Sequence, residues 1–157
     1  MKTRTILASL VISCTVLATS LAEDSPQLGT WKLNEAKSKF APGAVKNSSV
    51  VYAAAPNDMV KITVDGVDKD GKALHNEWVG KFDGKDYPVT GSDLTFDMRS
   101  YKMVNPNTLE MTVEKAGKVV GTGTIVVSAD GKTRTVTTNT TDPKMAAYSA
   151  TAVYDRQ

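Results

Sequence analysis

Thiols and imidazoles are nearly absent from this chain. Its 157 residues contain one cysteine, Cys14, and one histidine, His75. Cys14 lies in an N-terminal segment that we expect to be removed, which leaves the mature chain without a thiol and excludes disulfides, thiolate metal sites and cysteine nucleophiles. One imidazole without clustered acidic residues provides no metal-binding motif. The sequence therefore predicts no metal, no cofactor and no catalytic residue.

The mature chain also lacks an excess of charge of either sign. Lys2 and Arg4 leave with the N-terminal segment, so the lysines and arginines fall from 19 to 17 and equal the 17 aspartates and glutamates. A chain with zero net charge and no basic run gives no reason to expect an anionic polymer or an anionic membrane surface as partner. We therefore predict no nucleic-acid partner.

The first 22 residues have the pattern of a signal peptide. Two basic residues precede an apolar run over 6–17 that is too short to span a bilayer, and Ser20-Leu21-Ala22 places small residues where signal peptidase reads them. We expect removal of residues 1–22, a mature chain that begins at Glu23, and export to a periplasm or the extracellular space. The alternative is a lipoprotein, because Val11-Ile12-Ser13-Cys14 loosely resembles a lipobox. Membrane attachment is expected only if Cys14 is lipidated.

Long aliphatic side chains are scarce, whereas β-branched ones are abundant. After residue 22 the chain has 16 valines and 15 threonines but only 5 leucines and 2 isoleucines. β-Branched side chains lose χ1 freedom in helices and pack well on sheets, so this composition favours strands. Apolar and polar residues alternate with a period of two, as half-buried antiparallel strands require. The expected strands are 29–33, 48–55, 59–66, 73–82, 86–90, 94–103, 108–115, 119–128, 133–140 and 148–155.

Two segments are expected to depart from regular strands. Residues 34–40 are expected to hold one helical turn, which Pro42 and Gly43 end. Pro88 lacks the N–H that a ladder needs, so 86–90 is expected to be a short edge strand or no strand. No other segment has the pattern of a helix.

Turn signals recur at nearly regular intervals between the expected strands. Four turns contain Gly-Lys, at 70–72, 83–85, 116–118 and 130–132, and glycine supplies the positive φ of tight hairpins. Consecutive hairpins indicate an up-and-down meander, and closure removes the exposed edges of such a sheet. The sequence thus predicts an all-β fold, with one antiparallel β-barrel domain over residues 23–157. Because few bulky residues are available to fill the interior, we expect a cavity that is partly lined by polar groups.

A short motif at the first strand is accompanied by an arginine near the end of the sequence. The motif is Gly29-Thr30-Trp31, and the arginine is Arg156. The pair resembles the G-x-W signature of the lipocalin and wider calycin superfamily, in which an Arg or Lys packs over a Trp that closes one end of the barrel. The resemblance implies a lipocalin-like barrel in which Gly29, Trp31 and Arg156 form the closure. Residues 29–157 are also similar to small exported bacterial proteins of unknown function with lipocalin-like domains.

Three residues are candidates for ligand binding: Trp78, Arg99 and Tyr101. Trp78 lies on the apolar side of its strand, so it is expected to face the lumen. Arg99 and Tyr101 are expected to face outward, because their face is opposite to an apolar set, unless a β-bulge near Met98 reverses the faces. That apolar set is Leu94, Phe96 and Met98. In a lumen, the three candidates would provide stacking surfaces and one fixed cation; otherwise Trp78 and Tyr101 belong to the core.

The polar face of one strand carries the single histidine. His75 and Glu77 project from the same side, where an imidazole and an orienting carboxylate could act as a general base. That side also carries Lys81, which indicates a position in solvent.

The sequence favours an exported protein that binds a small apolar or amphipathic molecule in the barrel lumen, without covalent chemistry. Two alternatives remain open. One is a structural or envelope-interaction protein without a cavity, and the other is a calycin-like isomerase or hydrolase that uses lumen groups such as Arg99 or Tyr101. The presence of a cavity separates binding from a structural role, and a desolvated titratable residue within it would favour an enzyme.

Overall fold

The computed structural model of this protein describes residues 25–92, 95–141 and 149–157. The expected signal peptide, Cys14 and Leu94 lie outside these ranges. Within them, no helix has the length and hydrophobicity needed to cross a bilayer.

The described residues are almost entirely β-structure. The helical content consists of one 3₁₀ turn at Glu35–Lys37, where the Asn34 side chain accepts a hydrogen bond from the Lys37 amide. The prediction of an all-β chain is therefore confirmed. The strands are β1 (Gly29–Leu33), β2 (Lys39–Phe40), β3 (Lys46–Ala55), β4 (Met59–Val67), β5 (Ala73–Gly80), β6 (Asp83–Ser92), β7 (Met98–Asn105), β8 (Thr108–Lys115), β9 (Lys118–Val127), β10 (Thr133–Thr140) and β11 (Ala150–Arg156).

Ten of these strands form a closed antiparallel barrel. From β3 to β11 each strand pairs with the next one along the chain, and β1 closes the ring by pairing with both β3 and β11. The remaining strand, β2, pairs with β11 over two residues. The predicted up-and-down barrel is thus confirmed, and closure leaves no free edge in the ring.

Because the strands alternate in direction, their turns gather at two ends of the barrel. The Trp31 end contains the start of β1, the end of β11 and the β3–β4, β5–β6, β7–β8 and β9–β10 turns. The opposite end contains the β4–β5, β6–β7 and β8–β9 connections. Large buried side chains fill the interior near the Trp31 end, namely Trp31, Ile62, Trp78, Leu109 and Val127.

The prediction for Pro88 was wrong, because β6 is a ten-residue strand with a neighbour on each side. The Val89 amide donates to the Asp97 carbonyl on the β7 side. Since successive amides point to opposite sides, the missing N–H of Pro88 falls on the β5 side. The ladder to β5 begins only at Val89, so the proline removes no ladder bond.

A β-bulge precedes β7 and reverses the side-chain faces there. The Asp97 amide donates to the Glu114 carbonyl at 2.9 Å, although Glu114 is paired with Met98. Two successive residues therefore oppose one, which is the definition of a bulge. As a result Phe96 and Arg99 are both buried, although strict alternation would place them on opposite faces. Arg99 therefore faces the lumen, and so does Tyr101, which is two residues further along the same face of the strand.

Candidate functional site

Trp31 and Arg156 meet at the Trp31 end. The Arg156 guanidinium carbon lies 4.4 Å from the centroid of the Trp31 ring. Its Nε, Nη1 and Nη2 donate to three carbonyls, those of Gly131, Leu28 and Pro26, at 2.6, 2.8 and 2.5 Å. The indole is fully buried, and its Nε1 donates to the Gln27 carbonyl at 3.2 Å. One guanidinium therefore links the residues before β1, the β9–β10 turn and the indole.

Gly29 is required by the same contact. Its φ is +123°, a backbone conformation that residues other than glycine rarely adopt. A Cβ at this position would also lie only 2.8 Å from Arg156 Nη1. Glycine in the G-x-W motif thus leaves space for the arginine that covers the tryptophan.

A cavity of about 150 Å³ occupies the half of the barrel away from Trp31. Residues next to the connections at that end belong to its wall, among them Leu74, Ser92 and Ala150, so the cavity extends to the end of the barrel. Most of the wall surface is apolar, and six strands each contribute an aliphatic residue to it. These residues include Val50, Val64, Val113, Ile125, Val136 and Ala152.

Two of the three candidate ligand-binding residues line this cavity, and the third supports them. Arg99 and Tyr101 are both in the wall, with 5% and 3% of their surface exposed. Trp78 lies behind them in the packed half: its ring is edge-on to Tyr101 at 4.9 Å, and its Nε1 donates to the Arg99 carbonyl at 2.8 Å. Trp78 therefore fixes the backbone of Arg99 and the ring of Tyr101 and is not part of the cavity wall.

Sequence reasoning missed a second buried arginine in the wall. Arg134 is 2% exposed and lies over Tyr52, with its guanidinium carbon 3.9 Å from the ring centroid. Alternation provided a signal for it, because Arg134 shares a face of its strand with Val136, as Tyr52 does with Val50. Neither pattern indicated that the two residues meet across 82 positions of sequence.

Hydrogen bonds and one aromatic contact join the two arginines through two tyrosines, in an array that we call the arginine–tyrosine chain. Arg134 Nη2 donates to the Tyr52 hydroxyl, and the Tyr52 ring is edge-on to that of Tyr101 with centroids 6.4 Å apart. Arg99 Nη1 donates to the Tyr101 hydroxyl at 3.4 Å, and Arg99 Nη2 donates to Asn76 Oδ1 at 3.2 Å. The chain thus runs Arg134, Tyr52, Tyr101, Arg99, Asn76 across the lumen.

Burial raises the pKa of two wall tyrosines, Tyr154 and Tyr52, above the ordinary value. Desolvation raises the pKa of Tyr154 to about 12, although the charge of Arg134 and a hydrogen bond from Asn47 act in the opposite direction. Desolvation likewise raises the pKa of Tyr52, with Arg134 again opposing. A protonated phenol offers a hydrogen-bond donor and an acceptor, so at neutral pH these groups can both donate to and accept from a neighbouring polar group.

The single histidine lies outside the barrel. Its Nδ1 is 2.7 Å from Asp65 Oδ1 and its Nε2 is 3.9 Å from Glu77 Oε1, and the side chain is about half exposed. Glu77 is in turn paired with Lys61 at 2.7 Å. Residues 25–92, 95–141 and 149–157 contain no group of three or more His, Cys, Asp or Glu side chains arranged to hold a metal ion.

No family profile matches the chain, and no curated protein matches it in sequence. The ten-stranded antiparallel barrel is compatible with a lipocalin-like fold.

Proposed function

We propose that this chain is an exported, lipocalin-like barrel that binds a small apolar or amphipathic molecule in its lumen. The observation that carries this proposal is the cavity of about 150 Å³, which has a mainly apolar wall and a few oriented polar groups. Ligand sites in proteins generally have this composition, in which apolar surface provides affinity and polar groups fix orientation. An engineered cavity of about this volume binds benzene, so the space is sufficient for one small ring or a short branched chain.

The division of the barrel into two halves also supports binding. Trp31, Trp78 and Leu109 pack the half near the Trp31 end, and they are essentially inaccessible to solvent. Polar side chains and the cavity are concentrated in the other half. A purely structural barrel would gain stability from filling this space, because each unfilled volume costs packing contacts.

A fluorescence titration tests the binding proposal. In a Trp31→Phe background, Trp78 is the remaining tryptophan, and its edge-on contact with Tyr101 places it one side chain away from the cavity. Titration with a chemically broad panel of small apolar and amphipathic compounds should change its emission. The control is Ala152→Leu, which adds volume to the cavity wall and should abolish the response while the far-ultraviolet circular dichroism spectrum stays that of a barrel.

Two outcomes would contradict the proposal. One is an unchanged emission across the whole panel with protein shown to be folded. The other is a response of the same affinity in Ala152→Leu, since this would place the bound compound outside the cavity. Native mass spectrometry of the purified protein gives independent support if a small molecule is retained on it.

Export depends on the sequence of the first 22 residues. Their basic start, apolar run and small residues before Glu23 support cleavage. Intact mass after expression in a secreting host should correspond to a chain that begins at Glu23. A mass that corresponds to a chain starting at Cys14 with a diacylglyceryl group would instead establish a lipoprotein.

A further inference from the structure

The cavity wall contains two buried positive charges with no carboxylate beside them. Arg99 and Arg134 are 5% and 2% exposed. Among the described residues that line the cavity there is no aspartate and no glutamate, and neither arginine has an ion-pair partner. A guanidinium remains charged at every accessible pH. A buried charge is costly unless it is paired, and in the described residues only neutral groups compensate these two charges.

Three guanidinium nitrogens in this wall have no acceptor. They are Arg99 Nε, Arg134 Nε and Arg134 Nη1. The other nitrogens donate to neutral oxygens, namely the two tyrosine hydroxyls and Asn76 Oδ1. Aromatic faces provide further partial compensation, since Arg134 lies over Tyr52 and Arg99 lies over Phe96 at 4.9 Å. The unused donors are the positions at which an external acceptor would bind.

The two arginines donate to neighbouring tyrosines. Arg134 donates to the Tyr52 hydroxyl and Arg99 donates to the Tyr101 hydroxyl, and the two tyrosine rings are edge-on with centroids 6.4 Å apart. An oxyanion next to the two tyrosine hydroxyls would therefore lie near both guanidiniums. Hydrogen bonds between ionised partners are about twice as strong as neutral ones, and planar guanidinium donors match the two oxygens of an oxyacid.

We propose that the molecule bound in this cavity is a compact organic anion, with one oxyacid group at the arginine–tyrosine chain and a small apolar body against Val50, Val113 and Ile125. This inference rests on the proposed binding function and specifies its ligand class. The volume of about 150 Å³ limits the enclosed apolar part to about the size of a benzene ring. Benzoate and phenylphosphonate are probes of this class, and benzamide is the neutral compound of matched shape.

Isothermal titration calorimetry on the full chain tests the proposal. We expect at least one of the two anions to bind ten times more tightly than benzamide, or better, at pH 7. The more tightly bound anion identifies the group as a carboxylate or a phosphoryl group. Arg134→Met should reduce the preference for the anion over benzamide to less than threefold. Arg99→Met should also reduce this preference. Lys102→Met is the matched control, because it removes an exposed cation from the same strand as Arg99 and should leave the preference unchanged.

Thermal unfolding of the ligand-free variants separates a binding role from a structural one. A buried guanidinium without an anionic partner lowers the stability of the folded barrel. Without added ligand, Arg134→Met should therefore unfold at the same temperature as the parent or higher. If Arg134→Met does not fold, Arg99→Met provides the same comparison. A preference retained in both methionine variants would overturn the proposal.

The outcomes also distinguish this inference from the proposed function. Equal affinity for benzoate, phenylphosphonate and benzamide would overturn the anion assignment and leave the binding function standing. The same conclusion would follow if none of the three compounds bound while other apolar compounds still changed the fluorescence. Failure of every compound in both experiments would overturn the inference and the binding function together.

Discussion

Replacement of Arg156 tests whether one guanidinium holds the Trp31 end together. Its three nitrogens donate to three carbonyls and its plane lies against the Trp31 ring. The side chain is partly in solvent, so each hydrogen bond is worth about 0.5–1 kcal/mol net, and the cation–π contact adds about 0.5–1 kcal/mol. Arg156→Ala should therefore lower the free energy of unfolding by about 3 kcal/mol. For a domain of this size that corresponds to a fall in Tm of about 10 °C.

Arg156→Lys separates the charge from the planar group. A lysine keeps the cation, but one ammonium cannot donate to three carbonyls that lie in different directions. We expect Arg156→Lys to recover only about 1 kcal/mol of the loss in urea unfolding followed by far-ultraviolet circular dichroism. Gln157→Ala is the matched control at the next position and should change stability by less than about 0.5 kcal/mol. A lysine variant as stable as the parent would show that the three carbonyl contacts contribute nothing.

Three further predictions concern the two halves of the barrel. Gly29→Ala should lower Tm by a similar amount to Arg156→Ala, and the double variant should lose less than the sum, because both changes disrupt one contact; additive losses would contradict this. The folded pKa of Tyr154 is about 12 against an ordinary value of 10.0, so its contribution to stability is complete below pH 10 and is lost as the pH rises towards 12. Urea unfolding at pH 8 and pH 11 should show this loss, and Tyr154→Phe should reduce the difference. Trp78→Phe removes the donor to the Arg99 carbonyl and should cost about 1–3 kcal/mol in urea unfolding; a smaller loss would mean that water replaces the indole.

The strands were predictable because their determinants are local. Alternation and the Gly-containing turns place β1, β8 and β10 at the same bounds in sequence and structure. The 3₁₀ turn at Glu35–Lys37 likewise follows from the residues around it, since Asn34 provides its N-cap. These signals require no knowledge of which strands become neighbours.

The departures from the prediction arise where pairing decides the outcome. Pro88 is tolerated in a strand with two neighbours only because the pairing with β5 starts at the next residue, Val89. The bulge at Asp97 exists because the Asp97 amide donates to the carbonyl of Glu114, which is already paired with Met98. Neither condition can be read from the residues around Pro88 or Asp97, because both depend on the alignment of a neighbouring strand.

The candidate site shows the same division between local and non-local information. Alternation is sufficient to place Arg134 on the inner face of β10 and Tyr52 on the inner face of β3. Their contact is set by closure of the ring through β1 and β11. Ring closure brings residues from opposite parts of the sequence to one level of the lumen, so the arginine–tyrosine chain emerges only when the register of every strand is fixed.

Three arginines differ in burial and in hydrogen bonding, although the sequence alone does not distinguish them. Arg156 has an acceptor for each of its three nitrogens and is partly in solvent, so it needs nothing more to be satisfied. Arg99 and Arg134 are more deeply buried and yet keep nitrogens without an acceptor. A buried polar group without a hydrogen-bond partner lowers the stability of a fold. The arginine at the Trp31 end therefore fits a structural role, whereas the two in the cavity wall are arranged for an acceptor that the described residues do not provide.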